Sequence, residues 1–461
     1  MSSFDYLGRD VNDWRAMAAA KLDLQATQAR MLQGYYDGLP AVIALLDTEE
    51  RNAFRRFLSE SRANWCALVV NAVAERLQVV GFRFGDQATD DLAWQIWQAS
   101  AMDADSELVQ TDALVQASSY VLVQADESNP TGVEICGESS MQAAVLYEPG
   151  SRRKRRAGYK RFLDYGETVE VLILPDLVVT YAGESADPVG VEPNPMGVVN
   201  LVEMRPQPCT IGRGRSELDP AIPFQDRINT TIFNRMVATD YGAFRQIWAT
   251  GVRMARQVLT AADGSQSEVV VKPFNVGANR LLANENPDAR FGSFPESTLA
   301  GYLNSVEQDV QQLAAITQTP PHYLLGQMVN ISGDAIKAAE AGLVAKVSQR
   351  ALHIGEDWEE VMRLALGLVG NPAAVNVAAE VVWKDFETRS ESQLVDSLVK
   401  AATIGVPQEV LWQRYGATPQ QVREWKQQNM TAAAQAAATQ AVAFGAADPY
   451  TQLVTGGAGG G

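Results

Sequence analysis

Residues Ser332–Leu368 read SGDAIKAAEAGLVAKVSQRALHIGEDWEEVMRLALGL. Ile336, Ala339, Leu343, Val347, Ala351, Ile354, Trp358, Val361 and Leu368 recur at three, four or seven, which places them along one face of an α-helix. Ser332 offers a start and Asn371-Pro372 a stop, so the helix runs for about 35 residues and about 50 Å at 1.5 Å per residue. Such a helix is long for a compact globule, and its neighbours decide what it spans.

Working backward, Thr317–Ile331 is a connection opened by Thr319-Pro320-Pro321, where proline ends the preceding helix. That helix, Glu296–Ile316, lines up Leu299, Leu303, Val306, Val310, Leu313 and Ala314. A further long helix covers Asp219–Trp248 through Ile222, Ile228, Ile232, Val237, Phe244 and Ile247, with Pro220 and Pro223 tolerated in a first turn that has no N–H partner to lose. Between these two helices the apolar period changes. Val258–Leu259, Glu268–Pro273 and Arg280–Leu282 read as short strands, with Ala262-Asp263-Gly264-Ser265 as a turn.

The N-terminal part alternates the two periods. Helices fit Asn12–Tyr36, with Asn12 as N-cap, and Trp65–Leu77, Asp90–Ala101 and Asp105–Ala117; Val79–Phe84 alternates as a strand. Tyr120–Gln124, Ala143–Glu148, Thr168–Leu174 and Leu177–Tyr181 are β-rich runs between Asn, Pro, Gly and Asp clusters, and Val198–Met204 is a strand within a Pro-rich connection. Beyond the long helix, Val377–Phe386 reads as a strand, Ser390–Asn429 as two or three helices, and Met430–Ala447 as an Ala/Gln-rich extension of the last; Gly456–Gly461 has too little side chain to fold. The fold class is α+β.

Composition narrows function. The chain has 461 residues, 46% hydrophobic and 20% charged, with a net charge of −17, the profile of a folded protein of several modules rather than one that grips nucleic acid over its surface. Cys66, Cys136 and Cys209 form no CxxC pair, so neither a disulfide framework nor a zinc site is indicated and a reducing compartment is expected. No signal peptide or membrane span is read. His322 and His353 are the only histidines, which removes most triads and metal sites. Gly212-Arg213-Gly214-Arg215-Ser216 lacks a preceding βα unit and fits neither GxxxxGK[ST] nor GxGxxG, so it reads as a backbone turn entering the Pro220 helix. No catalytic, metal or cofactor site is assigned.

Two charge features stand out. Arg152, Arg153, Lys154, Arg155, Arg156, Lys160 and Arg161 put seven bases in ten residues: a solvated loop between strands, or a patch for phosphate or an acidic partner. Glu296–Val369 instead carries nine acids against four bases, with Glu356, Asp357, Glu359 and Glu360 clustered on the long helix. Solvated acidic surface is the ordinary reading of that cluster. If such helices lined a channel, they would repel a phosphate backbone.

Three stretches carry a family resemblance: Gly212–Asn229 (GRGRSELDPAIPFQDRIN), Ile316–Gly326 (ITQTPPHYLLG) with Asn330–Glu340 (NISGDAIKAAE), and Glu391–Trp425 with its Gly405-Val-Pro and Gly416-Ala-Thr-Pro pattern. In this order they resemble the portal proteins of tailed phages, of the kind found in long-tailed phages of actinobacteria. The resemblance implies a ring subunit, usually one of twelve, around a channel for double-stranded DNA, in the virion's capsid portal vertex and in the host cytoplasm during assembly. It implies a wing at 1–218, stem helices at 219–250 and 296–316, a clip at 251–295, a tunnel loop at 317–331, the long helix and a returning wing strand at 332–389, a crown at 390–447 and a tail at 448–461.

The implied site residues follow. Thr319, His322, Tyr323, Gln327, Met328 and Asn330 would lie near DNA in the tunnel loop; Glu356, Asp357, Glu359 and Glu360 would line the channel. Arg152–Arg156 would be a partner patch, and Asp263, Gln266, Glu268 and Lys272 the clip contacts. Implied partners are the major capsid protein and scaffold, the terminase large subunit, the head–tail adaptor and DNA held without sequence specificity, with no membrane. The alternative is an oligomeric scaffold or adaptor without a channel.

Overall fold

The computed structural model describes residues 9–39, 55–183, 185, 187–210, 214–243, 247–251, 256–260, 266–270, 287–288, 290–293, 299–326, 333–387 and 391–445. Two compact units divide the chain: residues 1–40, 64–225 and 310–461 form the first, and 41–63 with 226–309 the second.

The first unit is built on a five-stranded antiparallel sheet, ordered along the chain as β4 (Ala143–Tyr147), β5 (Arg155–Asp164), β6 (Glu167–Ile173), β7 (Leu177–Ala182) and β8 (Gly190–Pro193). Its strands alternate between two cores, as a sheet covered on both faces must. Ala144, Ala157, Tyr159, Leu172, Val179 and Tyr181 face helix α1 (Val11–Tyr36), which presents Trp14, Ala18 and Leu22 at every fourth residue. Ala143, Val145 and Ile173 face the other way, onto Tyr120, Leu122 and Leu201 of a three-stranded sheet ordered β3 (Val133–Ser139), β2 (Ser119–Ala125), β9 (Leu201–Met204). The N-cap of α1 is Asp10 rather than Asn12: its carboxylate accepts from the Asp13 N–H, and the Asp13 carboxylate accepts in return from the Asp10 N–H.

Helices α3 (Trp65–Ala74), α4 (Gln87–Ala99) and α5 (Met102–Gln116) complete this unit with the long helix α9 (Gly333–Leu368, 36 residues). Trp97 and Trp358 are fully buried, with ring centroids 4.9 Å apart in an edge-on arrangement, and Phe82 packs edge-on against Trp97 at 5.2 Å. Strand β14 (Glu380–Trp383) returns to pair with β1 (Val79–Arg83), Phe82 opposite Val381. Helices α10 (Glu391–Thr403), α11 (Gln408–Tyr415) and α12 (Pro419–Gly445) end the described chain, with α12 continuous through the Ala/Gln-rich stretch.

The division between units falls inside helix α6 (Ile222–Ala243) and helix α7 (Ala300–Thr317). Within the second unit lie α2 (Arg55–Glu60), two antiparallel strand pairs, β10 (Ile247–Thr250) with β13 (Arg290–Ser293) and β11 (Arg256–Thr260) with β12 (Gln266–Val270), and an Arg227–Asp309 ion pair at 2.7 Å.

The structure corrects several element boundaries. Helix α6 stops before Ile247-Trp248, which form strand β10, in keeping with the strand preference of a β-branched and an aromatic residue after Gly242. Helix α7 runs from Ala300, Glu296 itself lying outside the described residues, and the β14 strand is shorter than Val377–Phe386. Strand β3 and the whole of β5 are elements the sequence pattern did not yield. Residues 262–265 and 280–282, expected as a turn and a strand, lie outside the described residues.

Candidate functional site

The expected tunnel loop is, over residues 317–326, a built part of the first unit. Thr317 ends α7, Pro320 precedes a short helix α8 (Pro321–Leu325), and Gly326 closes it in the left-handed region at φ 63°. Thr319 is buried, and the Thr317 hydroxyl donates to its Oγ1 at 3.1 Å. The Tyr323 hydroxyl accepts from Arg76 Nη2 at 2.9 Å; Arg76 also meets Glu340 Oε1 at 3.6 Å, and His322 Nε2 lies 3.9 Å from that oxygen. Trp65 Nε1 donates to the Leu324 carbonyl at 3.1 Å. Thr319 is therefore buried beside Thr317, and His322 and Tyr323 are held by Glu340 of α9 and by Arg76 of the turn after α3. The cause is a buried arginine, Arg76, whose charge needs these partners. Gln327, Met328 and Asn330 lie outside the described residues.

Beneath this segment is a buried ionic triad. The Glu217 carboxylate, 3% exposed, accepts from Lys346 Nζ at 2.7 Å, Arg350 Nε at 2.5 Å and Gln207 Nε2 at 2.6 Å. Lys346 also donates to the Thr317 carbonyl at 2.9 Å. Burial opposes ionisation of Glu217, but the two facing cations hold its carboxyl below the usual glutamate value. The long helix is thus joined to the end of α7 and to the turn before α6. Sequence reasoning missed the triad, although a signal was present: Lys346 and Arg350 interrupt the apolar stripe Leu343, Val347, Ile354, and a cation there needs a buried partner.

The basic run and the acidic cluster, read as separate features, meet in one cleft of about 660 Å³. Arg155 and Arg156 belong to strand β5, so only Ser151–Lys154 resembles the solvated loop expected of the run. Arg155 Nη2 meets Glu360 Oε1 at 2.7 Å, Arg153 Nη1 meets Glu356 Oε2 at 3.4 Å, and Arg156 and Lys154 approach Glu148. Glu360 is bridged again by Arg363 at 3.1 Å. Asp357 is partly buried; its Oδ2 accepts from the Arg205 backbone N–H at 2.9 Å, and desolvation pushes its carboxyl up to about 7. Burial, with Glu356 nearby, pushes Glu359 to about 7 as well. His353 lines the same cleft, and burial beside Arg350 lowers its imidazole pKa, leaving it neutral at pH 7.

This geometry corrects the acidic cluster. Asp357 is half-buried on the Arg205 backbone N–H, and Glu356 and Glu360 are matched to the basic run, so these carboxylates join α9 to β5 and to the end of β9 instead of forming a uniformly solvated acidic face. Most charges around the cleft face a group of opposite sign, while Arg152 and Arg153 stay exposed at its edge.

Gly214 shows why the glycine-rich turn needs glycine. A Cβ there would lie 2.7 Å from the Ala117 carbonyl oxygen and 3.2 Å from that of Gln207, so close backbone packing accounts for it without a phosphate. Of the expected clip contacts, Gln266 and Glu268 lie on β12, opposite Thr260 and Val258; Asp263 and Lys272 lie outside the described residues. No helix among the described residues is long and apolar enough to cross a membrane.

The α+β fold is organised on one 36-residue helix, and the charges of its main cleft are largely paired with one another. The family model for phage portal proteins of the SPP1 Gp6-like type matches residues 18–435. The chain belongs to that family; it is a structural component of the phage virion's portal rather than an enzyme. It is 29% identical over 351 residues to the portal protein of Mycobacterium phage L5, covering 72% of this chain and 71% of that one. To the portal protein of Mycobacterium phage D29 it is 28% identical over 349 residues, with the same coverage. A chain from the virion of a native gene transfer agent particle aligns with a TM-score of 0.42 at 13% identity, over 86% of this chain and 99% of that one. A chain from the neck of that particle, computed with C12 symmetry, aligns at 0.42 and 12%, over 84% and 99%.

Proposed function

We propose that the chain is one subunit of a twelve-membered ring at the unique capsid vertex, and that the ring is a passive channel for double-stranded DNA during packaging and ejection. In this reading the terminase large subunit docks during packaging and the head–tail adaptor afterwards, while scaffold and the major capsid protein surround the ring. Residues 1–218 and the returning strand are the wing, 219–250 and 296–316 the stem, 251–295 the clip, 390–447 the crown and 448–461 the tail.

The observation that carries this reading is the element order of a portal-family chain: helix α6, the strand pairs β10–β13 and β11–β12, helix α7, then the 36-residue α9. DNA contact is assigned to Gln327, Met328 and Asn330, which are uncharged, so it is steric and neutral rather than a clamp. Clip contacts to terminase or adaptor are assigned to Asp263, Gln266, Glu268 and Lys272. Hydrolysis belongs to the motor, since the sequence has no P-loop.

Electron microscopy of the purified protein, with averages taken down the symmetry axis, tests the reading. A ring of about twelve copies with a bore wide enough for a duplex supports it; a closed oligomer without a bore refutes the channel and favours a plain scaffold.

A further inference from the structure

The five-stranded sheet has two chemically opposite ends. Strand β5 begins at Arg155, directly after Arg152, Arg153 and Lys154, which stay exposed although Arg153 meets Glu356 at 3.4 Å and Lys154 meets Glu148 at 3.8 Å, and ends at Asp164, about 30 Å away at roughly 3.3 Å per residue. At that far end β5 and β6 pair through Asp164 opposite Glu167, leaving Tyr165-Gly166 as a two-residue turn. Both residues have positive φ, 45° and 97°. A turn of this kind suits a hairpin's twist and is usually filled by Asn-Gly; a bulky aromatic in the left-handed region is an outlier. Tyr165 is nevertheless fully exposed, and Leu163 is 72% exposed. The backbone strain is thus not offset by packing of that ring within the chain. Exposed Asp164 and Glu167 flank the two apolar side chains, so the tip is an apolar knob with an acidic rim.

We propose that this tip docks on the basic loop Arg152–Lys154 of a second copy, forming a head-to-tail contact between neighbouring subunits. The inference rests on the ring reading and names one of its contacts. Chains carrying −17 each repel one another, and an acidic patch set against a basic one turns that repulsion into local attraction. A contact between two different patches of one chain is heterologous, and its repetition about an axis closes a ring. The Tyr165 ring supplies a face for a guanidinium and Leu163 covers the aliphatic stems of the basic side chains.

The test is a charge exchange read by mass photometry. D164K/E167K and R153E/K154E should each raise the concentration needed for assembly by about tenfold, and the four substitutions in one chain should restore it. Y165N, which suits the left-handed turn, should weaken assembly while keeping the hairpin's circular dichroism and thermal midpoint. A photo-crosslinking residue at position 165 should join a second chain within residues 150–156. Rings that assemble equally well in every variant, or crosslinks that map elsewhere, overturn the contact and leave the ring reading standing. A wild-type chain that never assembles, even in proheads, removes the ring reading and this contact with it.

Discussion

Glu217→Gln is the sharpest probe of how the long helix is held. The wild-type carboxylate, 3% exposed, satisfies Lys346 and Arg350, which are themselves 4% and 10% exposed at the side chain. The amide keeps one acceptor oxygen but no charge, so two buried cations lose their counter-ion. Removing one partner of a buried ion pair costs about 3–5 kcal/mol, a large share of the 5–15 kcal/mol that typically holds a domain folded. Urea unfolding read by tryptophan fluorescence is the assay, because eight of the nine tryptophans lie in the first unit and only Trp248 in the second. With a slope of about 3 kcal/mol per molar urea, the midpoint should fall by about 1–1.7 M. Replacing the whole triad, E217L/K346M/R350M, should recover most of the loss, since well-packed apolar groups substitute for a buried ionic triad at little cost. A Glu217→Gln midpoint within about 0.2 M of wild type would refute the claim that the triad anchors α9. Glu217's pKa is lowered, so its contribution is present above the ordinary glutamate range and disappears as pH falls through the lower folded value.

Asp357 gives the opposite pH dependence. Its folded pKa of about 7 lies above its ordinary 3.8, so the folded state binds the extra proton and stability falls as pH rises from about 4 to 7, by up to ~1.4 kcal/mol per unit. D357N should flatten the dependence of the thermal midpoint between pH 5 and 8, leaving the smaller share of partly exposed Glu359; an unchanged slope counts against burial as the cause. Gly214→Ala should destabilise the first unit by about 1–3 kcal/mol in urea, because the added methyl meets two backbone carbonyls that cannot rotate away. Trp358→Ala should cost about 3–5 kcal/mol and quench the near-ultraviolet circular dichroism of the Trp97 cluster; retention of that signal would show the pair is not coupled.

The long helix was legible in the sequence because its signal is local: nine apolar residues at helical spacing, with a start and a stop. The order of helix, β-containing insert, helix and long helix was legible for the same reason, and three short stretches sufficed to place the chain among portal proteins. Strand β5 escaped notice because its first two residues are arginines, whose guanidinium groups reach Glu360 and Glu148, a pairing no local window contains. His322 and Tyr323 read as loop residues because proline punctuates that stretch, while the groups that hold them, Arg76 in the turn after α3 and Glu340 on α9, are distant in sequence.

Periodicity, capping and proline positions act between residues a few places apart, so the long helices, their approximate ends and their order are written in local stretches of the chain. The destination of each charge depends on residues far away along the chain, as in Arg155 with Glu360, 205 positions apart. Burial decides whether such a carboxylate is solvated surface or an interior strut, and burial exists only once the chain has folded. Tertiary structure alone therefore decided that the acidic cluster and the basic run are two halves of one joint.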